Sequence, residues 1–412
     1  MAKYRILSLD GGGSWALIQV RALLELFGDR SGHEVLAQFN YAAANSGGSI
    51  VLAAMLEGMK LGNILKFFLT ESDRQKIFVK LNWPPWVAHP IAYLITGGPR
   101  YYAEKKLIGL QEMLPKAGAL TLAQVKTMIE TAVGQCPQLL ITSFDYDRLR
   151  SIYFRSDNQS KTVNSSSIEP TTLAEAVHGS SDAPIKYFDL PAEVNTSIGM
   201  RRCWDGGLAA CNNPVLAALS EVIANQYDQV PGSKASAEIE VLSIGTATVR
   251  LPMQDENGTI AKGLAMEQDK PTLIANLKRA TTAVLDDPPD AATFTVYTML
   301  RGFQLPASSN PIVRMNPVIQ PIFRNGVWTR PMGLEKDNGN DPFVSLVNLD
   351  MDAVEQKEVD LIVKLTDAWI KGDVLNQPIR ADDNLQCQLG YNTFANAKSA
   401  WLAKLGTDKK IG

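Results

Sequence analysis

The run Phe39-Asn40-Tyr41-Ala42-Ala43-Ala44-Asn45-Ser46-Gly47-Gly48-Ser49-Ile50-Val51-Leu52-Ala53-Ala54-Met55-Leu56 changes character once, around Ser46. Phe39 to Ala43 reads as a strand, and Ser49 to Leu56 as a helix. The residues between them are small: Ala44, Gly47 and Gly48 flank the serine. A sharp strand-to-helix turn strains the backbone and leaves no room for side chains beside the serine, so this is how a nucleophile elbow reads. The helix start would also aim N–H groups, and the positive end of the helix dipole, at charge developing beside the Ser46 hydroxyl. A small-x-Ser-x-Gly string alone arises by chance in roughly one chain of this length in three, so its weight comes from its neighbours.

The first neighbour lies near the start of the chain. An apolar strand, Tyr4 to Leu9, runs into Asp10-Gly11-Gly12-Gly13 and then into a helix from Ser14. That helix places Ala16, Leu17, Val20, Leu23, Leu24 and Phe27 on one face, with Gln19, Arg21 and Glu25 opposite. Consecutive glycines let bare amides crowd a small anion, which suits an oxyanion hole or a phosphate cradle; a tight turn with no ligand is the third reading. A dinucleotide fingerprint would need glycine where Ala16 stands, and no Gly-Lys-Ser/Thr follows to make a P-loop.

Composition narrows the class. The chain has 412 residues, 45% hydrophobic and 20% charged, enough to build one large core or two medium ones. With 40 basic and 43 acidic residues the net charge is −3, so nothing in the global balance points to nucleic acid, and any membrane contact must be local. Met1-Ala2-Lys3-Tyr4 enters a strand directly without the pattern of a signal peptide, and no stretch reaches the ~18 consecutive apolar residues of a spanning helix. Cys136, Cys203, Cys211 and Cys387 form no Cys-x-x-Cys pair, and His33, His89 and His178 are scattered. That pattern argues against a zinc site and fits a reducing, cytoplasmic setting. No metal and no cofactor is expected.

Strand-like and helix-like runs alternate through the first ~250 residues, the signature of an α/β layered fold. Further strands are expected at Gln138 to Ser143, Ser151 to Arg155 and Ile239 to Ile244. Helices are expected at Leu122 to Val133, Leu173 to His178, and Pro214 to Gln226, the last with Asn213 as N-cap. Asn164-Ser165-Ser166-Ser167 is a loop signal. Past Val249 the pattern becomes irregular until a helix from Asp352 to Lys371, and the tail ends in a helix-like run from Ala395 to Leu405. The expected organisation is one α/β domain over residues 1–371, its core motifs in 4–250, and a C-terminal extension over 372–412.

A serine nucleophile needs a base, typically worth a factor of ~10²–10⁴. One candidate is His178, in Ala176-Val177-His178-Gly179-Ser180-Ser181; a satisfied structural histidine at a helix end is the plainer reading. In an α/β-hydrolase the triad histidine comes last in the chain, and no histidine follows Asp205, so a triad of that order using Asp205 is excluded. The other candidate is a carboxylate acting alone. Asp205, in Trp204-Asp205-Gly206-Gly207, is followed by glycines that let its backbone pass close to the elbow; an ordinary Asp-Gly turn is the alternative. Partial burial would raise the pKa of such an aspartate and make it a better base.

Together these pieces resemble the patatin-like phospholipases, lipid acyl hydrolases that use a Ser-Asp dyad. Asp10-Gly11-Gly12-Gly13 looks like the family's oxyanion loop, Ala44-Asn45-Ser46-Gly47-Gly48 like its Gly-x-Ser-x-Gly elbow, and Trp204-Asp205-Gly206-Gly207 like the block carrying its base. Phe154-Arg155-Ser156, Ser180-Ser181-Asp182-Ala183-Pro184, Asn212-Asn213-Pro214 and Leu242-Ser243-Ile244-Gly245-Thr246 agree in order. There are two departures: Ala44 replaces the first elbow glycine, and Ser14-Trp15-Ala16 follows the glycine loop where the family has an arginine. Any help such an arginine gives must come from elsewhere, and Trp15 either lines the acyl pocket or packs in the core.

The resemblance implies a three-layer fold, a central and mostly parallel sheet flanked by helices. It implies Ser46 as nucleophile, Asp205 as general base, and amides of Gly11, Gly12 and Gly13, with Gly47, as the oxyanion hole. Asp10 is then a loop-organising residue. The implied substrate is a fatty-acyl ester of a membrane phospholipid. Thioesterase, acyltransferase or small-ester carboxylesterase chemistry on the same site, and a silent lipid-binding protein, are the rivals. A lipid substrate calls for an apolar, aromatic surface, and residues 78–95, with Trp83-Pro84-Pro85-Trp86, are the best candidate for peripheral membrane contact; Ala291 to Leu305 and Ile322 to Met332 are others. Some bacterial members are gated by cyclic nucleotides, and the region after Val249 leaves room for a small regulatory nucleotide.

Overall fold

In the computed structural model, which describes residues 3–82, 98–156, 170–226, 239–254, 257–266, 272, 288–306, 309–382 and 387–406, the apolar run Tyr4–Leu9 is strand β1. All six of its residues are buried. It lies between β2 (Tyr41–Ala44) and β7 (Ile239–Ile244), parallel to both. Parallel strands β3 (Gln138–Asp145) and β9 (Ile312–Met315) extend the set outward. At one side β4 (Arg150–Arg155), β5 (Ala192–Thr196) and β6 (Gly199–Asp205) join by antiparallel pairing, completing an eight-stranded sheet. Outside it, β8 (Thr248–Val249) pairs with β10 (Val318–Ile319), and β11 (Ile322–Arg324) with β12 (Val327–Thr329).

The side-chain period of two divides the core into layers. Leu7 and Leu9 of β1, Ala42 and Ala44 of β2, Leu139 and Ile141 of β3, Leu242 and Ile244 of β7 and Val313 and Met315 of β9 meet in one apolar cluster. Their alternates, among them Ile6, Ala43, Leu140, Val241 and Ile312, meet in a second. Strands buried on both faces carry near-continuous apolar sequence, which is why they were legible as runs. Helices Leu17–Phe27, Ser46–Leu56, Leu173–Ser180, Gln356–Lys371 and Phe394–Gly406 pack into the first cluster. Val215–Glu221 and Pro288–Met299 pack into the second. The result is the expected three-layer α/β arrangement with a mostly parallel sheet.

Several element bounds differ from the sequence reading for identifiable reasons. The helix expected from Ser49 begins at Ser46, with Gly47 and Gly48 in its first turn; glycine disfavours a helix in isolation, and close packing overrides that preference here. The helix expected from Asp352 begins at Gln356, where Glu355 and Glu358 form a capping box. The helix expected over Pro214 to Gln226 is α-helical only over Val215–Glu221 and widens into a π turn over Val222–Gln226, and the Asn213 side chain accepts from the Val215 N–H at 3.1 Å. Leu122–Val133 has the expected bounds, set by a capping box between Thr121 and Gln124 and by left-handed Gly134.

The C-terminal segment is part of the core. Trp401 stacks on Phe39 with ring centres 5.8 Å apart, Phe394 packs edge-on against Trp369, and the Lys404 carbonyl accepts from Arg5 Nη2 at 2.8 Å. Among the described residues no helix is long and apolar enough to cross a membrane. The loop signal at Asn164 to Ser167 lies outside the described residues.

Candidate active site

The register of β3 brings the elbow and Asp205 together. β4 runs along one edge of β3; β2 faces Gln138–Ile141 on the other edge, and β6 faces Ser143–Asp145 on that same edge. Since β2 is parallel to β3 and β6 is antiparallel, their carboxyl ends point at each other: Ala44 lies opposite Ile141, and Asp205 opposite Ser143. The chain leaves β2 through Asn45, and Ser46, at φ 48°, turns straight into its helix. A positive φ at a serine is strained and persists only where the surroundings impose it. They do so here. A Cβ on Gly48 would come within 2.5 Å of the Leu9 carbonyl oxygen, and one on Gly47 within 2.4 Å of the Gly13 carbonyl oxygen. Only bare backbone lets this helix sit against the end of β1. Ala44, at the family's first glycine position, turns its methyl into the apolar core and is fully buried.

The Ser46 side chain stands beside the Asp205 carboxylate and lowers its pKa. Asp205 Oδ1 accepts from the Gly207 N–H at 2.8 Å and from Asn45 Nδ2 at 3.0 Å. Asn45 is held in turn by Thr142 Oγ1, which donates to its Oδ1 at 2.8 Å, and the Ser46 N–H donates to Ser180 Oγ at 2.9 Å. Burial raises the Asp205 pKa, and the nearby Ser46 side chain, the hydrogen bonds from Gly207 and Asn45 and the charge of Lys106 work against that rise. A carboxylate so placed is a stronger base than an exposed aspartate and remains solvated by protein donors. His178, the alternative base, lies on the buried side of its helix with Nδ1 unpartnered, and burial followed by the Lys106 charge lowers its pKa well below the ordinary histidine range. Of the two candidate bases, Asp205 is the one beside Ser46.

The glycine loop reaches the same point from β1. Gly12 and Gly13 have φ of 155° and 54°, and Cβ atoms there would fall 2.3 Å from Thr246 Oγ1 and 2.4 Å from the Met351 carbonyl oxygen. The Gly11 N–H donates to the Asn212 carbonyl oxygen at 2.8 Å. That bond narrows the expected donor set: Gly11 shapes the loop, and its amide is already committed. Among the described residues, the N–H groups of Gly12, Gly13 and Gly47 have no such partner.

Asp10 organises this loop through a residue that the sequence reading missed. Arg314 of β9 donates from Nη2 to Asp10 Oδ2 at 2.6 Å and from Nη1 to Ser243 Oγ at 2.8 Å. Ser8, Ser243 and Arg314 occupy one row across β1, β7 and β9, so two small serines clear a channel for the guanidinium to cross the sheet. The signal was present as two serines and an arginine inside mostly apolar strands. Burial raises the Asp10 pKa, and Arg314 opposes that rise.

Ser46 opens into a cleft whose walls include Ile50, Ile77, Phe78, Phe188 and Met351. A mostly apolar lining with a few polar groups suits an apolar ligand with a few polar anchors. Trp15 is a core residue whose Nε1 donates to the Asp350 carbonyl oxygen at 3.0 Å. Of the stretch 78–95, Phe78 lines the pocket, and residues 83–95 lie outside the described residues. In Ala291 to Leu305, Ala292, Val296 and Tyr297 are buried in the second core cluster and Phe303 is exposed; in Ile322 to Met332, Phe323, Val327 and Met332 are exposed.

An intracellular phospholipase A2 of Caenorhabditis elegans is 24% identical over 273 residues, covering 66% of this chain and 21% of that protein. The chain therefore spans about a fifth of the length of that relative. Among solved structures, VipD from Legionella pneumophila aligns over 89% of this chain and 67% of its own, at 10% identity and a TM-score of 0.34. Human GIVD cytosolic phospholipase A2, in complex with methyl gamma-linolenyl fluorophosphonate inhibitor and terbium chloride, aligns over 89% and 57% at 13% identity and a TM-score of 0.38. The family profile described as patatin-like phospholipase matches residues 7–219, a span that runs from β1 past the elbow and Asp205 and covers more than half of the sequence. On that match the chain belongs to the patatin-like phospholipase family.

Proposed function

We propose that this protein is a lipid acyl hydrolase of phospholipase A type, working through Ser46 and Asp205. The observation that carries the reading is the placement of Ser46, on its strained elbow in the wall of a cleft, beside the buried Asp205 carboxylate. Ser46 Oγ attacks a fatty-acyl ester carbonyl while Asp205 takes its proton. The amides of Gly12, Gly13 and Gly47 hold the tetrahedral oxyanion, and losing one such donor would cost about 3–4 kcal/mol of barrier. Asp205 then returns the proton to the leaving alcohol, and water, deprotonated by the same carboxylate, releases the fatty acid from the acyl-enzyme. Because the reaction needs Asp205 ionised, activity falls as pH drops through its raised pKa.

The test is direct. A fluorophosphonate probe should label the wild-type chain and not Ser46→Ala, and mixed phospholipid vesicles should yield free fatty acid and lysophospholipid by mass spectrometry. Absence of labelling in folded protein would sink the hydrolase reading; labelling with cleavage of thioesters or short esters alone would move the substrate class to the rival acyl chemistries.

A further inference from the structure

Burying an ammonium has a desolvation cost of several kcal/mol, so a wholly buried lysine calls for a reason. Lys106, on helix Ala103–Met113, is wholly buried. Its Nζ donates to Asp182 Oδ1 at 2.5 Å and to the His178 carbonyl oxygen at 3.0 Å, and stands 4.1 Å from the centre of the Phe188 ring. Asp182 is wholly buried too, and its Oδ2 has no partner among the described residues. The pair is tied to both members of the dyad. The Asp205 N–H donates to the Asp182 carbonyl oxygen at 3.0 Å, and the Ser46 N–H donates to Ser180, two residues before Asp182.

The charged groups around this point are few. Lys106 faces Asp182 and Asp205, and Asp182 faces Lys106, Asp189 and Asp205. His178 and Cys203 pack against the same region and are neutral, burial lowering the imidazole and pushing the thiol up to about 12. Asp205 accepts from Gly207 and Asn45, whereas one oxygen of Asp182 accepts nothing, so of the two carboxyls Asp205 is the better solvated as an anion. Burial pushes the Asp182 carboxyl up to about 7. The Lys106 charge opposes the rise of the Asp205 pKa, and Asp205 in turn raises that of Asp182.

We propose that Lys106 is a positioning residue for acyl transfer: its buried ammonium, held by Asp182 and the His178 carbonyl, keeps Asp205 in the carboxylate form that can accept the Ser46 proton. This rests on the Ser46–Asp205 reading. A purely structural lysine would, on removal, lower the activity plateau and leave the pH profile in place. A charge acting on the base moves the acid limb instead.

The test measures kcat/KM for a chromogenic fatty-acyl ester and the fluorophosphonate labelling rate from pH 4 to 9, on the full chain. In Lys106→Met the acid limb should move up by about one pH unit, and Lys106→Arg should bring it back. Asp182→Asn keeps the ammonium and should not raise the limb; a rise equal to that of Lys106→Met would assign the shift to loss of the pair and overturn the role of the Lys106 charge. The double variant Lys106→Met/Asp182→Asn leaves no lone buried charge; it should show the same upward shift and supplies the result if the single variant does not fold. A folded Lys106→Met or double variant with the wild-type limb, at any plateau, would overturn the role of Lys106 and leave the dyad standing. A folded wild type that is never labelled would overturn the dyad, and the role of Lys106 with it.

Discussion

The candidate site is backed by two buried ion pairs that differ in kind. Arg314 and Asp10 stand behind the glycine loop, Lys106 and Asp182 behind Asp205. Arginine keeps its charge at any pH and fixes direction with its planar fork, here gripping Asp10 and Ser243 together. Lysine is a point charge whose pKa burial lowers, beside a carboxyl that burial pushes up. In the proposed reaction the loop holds rigid amides in place through every step, whereas the base changes protonation state. The pairs match those tasks: a permanent anchor on one side, and an adjustable field on the other.

The comparison can be broken or sharpened by substitution, and the largest effect belongs to the groups that both pairs serve. Ser46→Ala and Asp205→Asn should each lower ester turnover by roughly 10⁴-fold or more with the fold intact, read by steady-state hydrolysis beside circular dichroism. Next comes the permanent anchor. Arg314→Met leaves the Asp10 carboxylate buried without its cation and should cost about 3–5 kcal/mol of stability, visible as a lowered urea midpoint. A midpoint within error of wild type would remove Arg314 from the anchoring role.

Gly13→Ala tests the loop without touching the pair. Its Cβ would lie 2.4 Å from the Met351 carbonyl oxygen at a φ of 54°, so the loop must shift, and kcat should fall about 10²–10³-fold. On the other side, Asn45→Ala removes one donor to Asp205 and strands the Thr142 hydroxyl, a loss of about 1–3 kcal/mol that should appear as roughly a tenfold fall in kcat. His178→Ala should change kcat by less than about threefold. A larger fall, with Asp205→Asn retaining turnover, would hand the base role to histidine.

The strands and the elbow were legible because each is local. Tyr4–Leu9 and Ile239–Ile244 are mainly apolar runs, broken only at Arg5, Ser8, Glu240 and Ser243, as suits strands buried on both faces. The glycine positions were also legible, because glycine marks places where backbone meets backbone. Which loop amides stay free was not: the Gly11 N–H is taken by Asn212, some 200 residues away in sequence. Arg314 and Lys106 escaped notice for the same reason. Each is an ordinary charged residue in its own segment and acquires its role only from a partner on another element, Asp10 across three strands and Asp182 beneath the base.

By itself, then, the sequence determined the layer order of the fold, the elbow at Ser46 and the pairing of residue types, serine with an aspartate block and no later histidine, because period, turn chemistry and composition act over a few residues. Only the tertiary structure decided that β2 and β6 share one edge of β3 and end against each other, which brings Ser46 to Asp205. Strand register, burial and the electrostatics of a low-dielectric interior are properties of distant segments packed together, and no local stretch of sequence carries them.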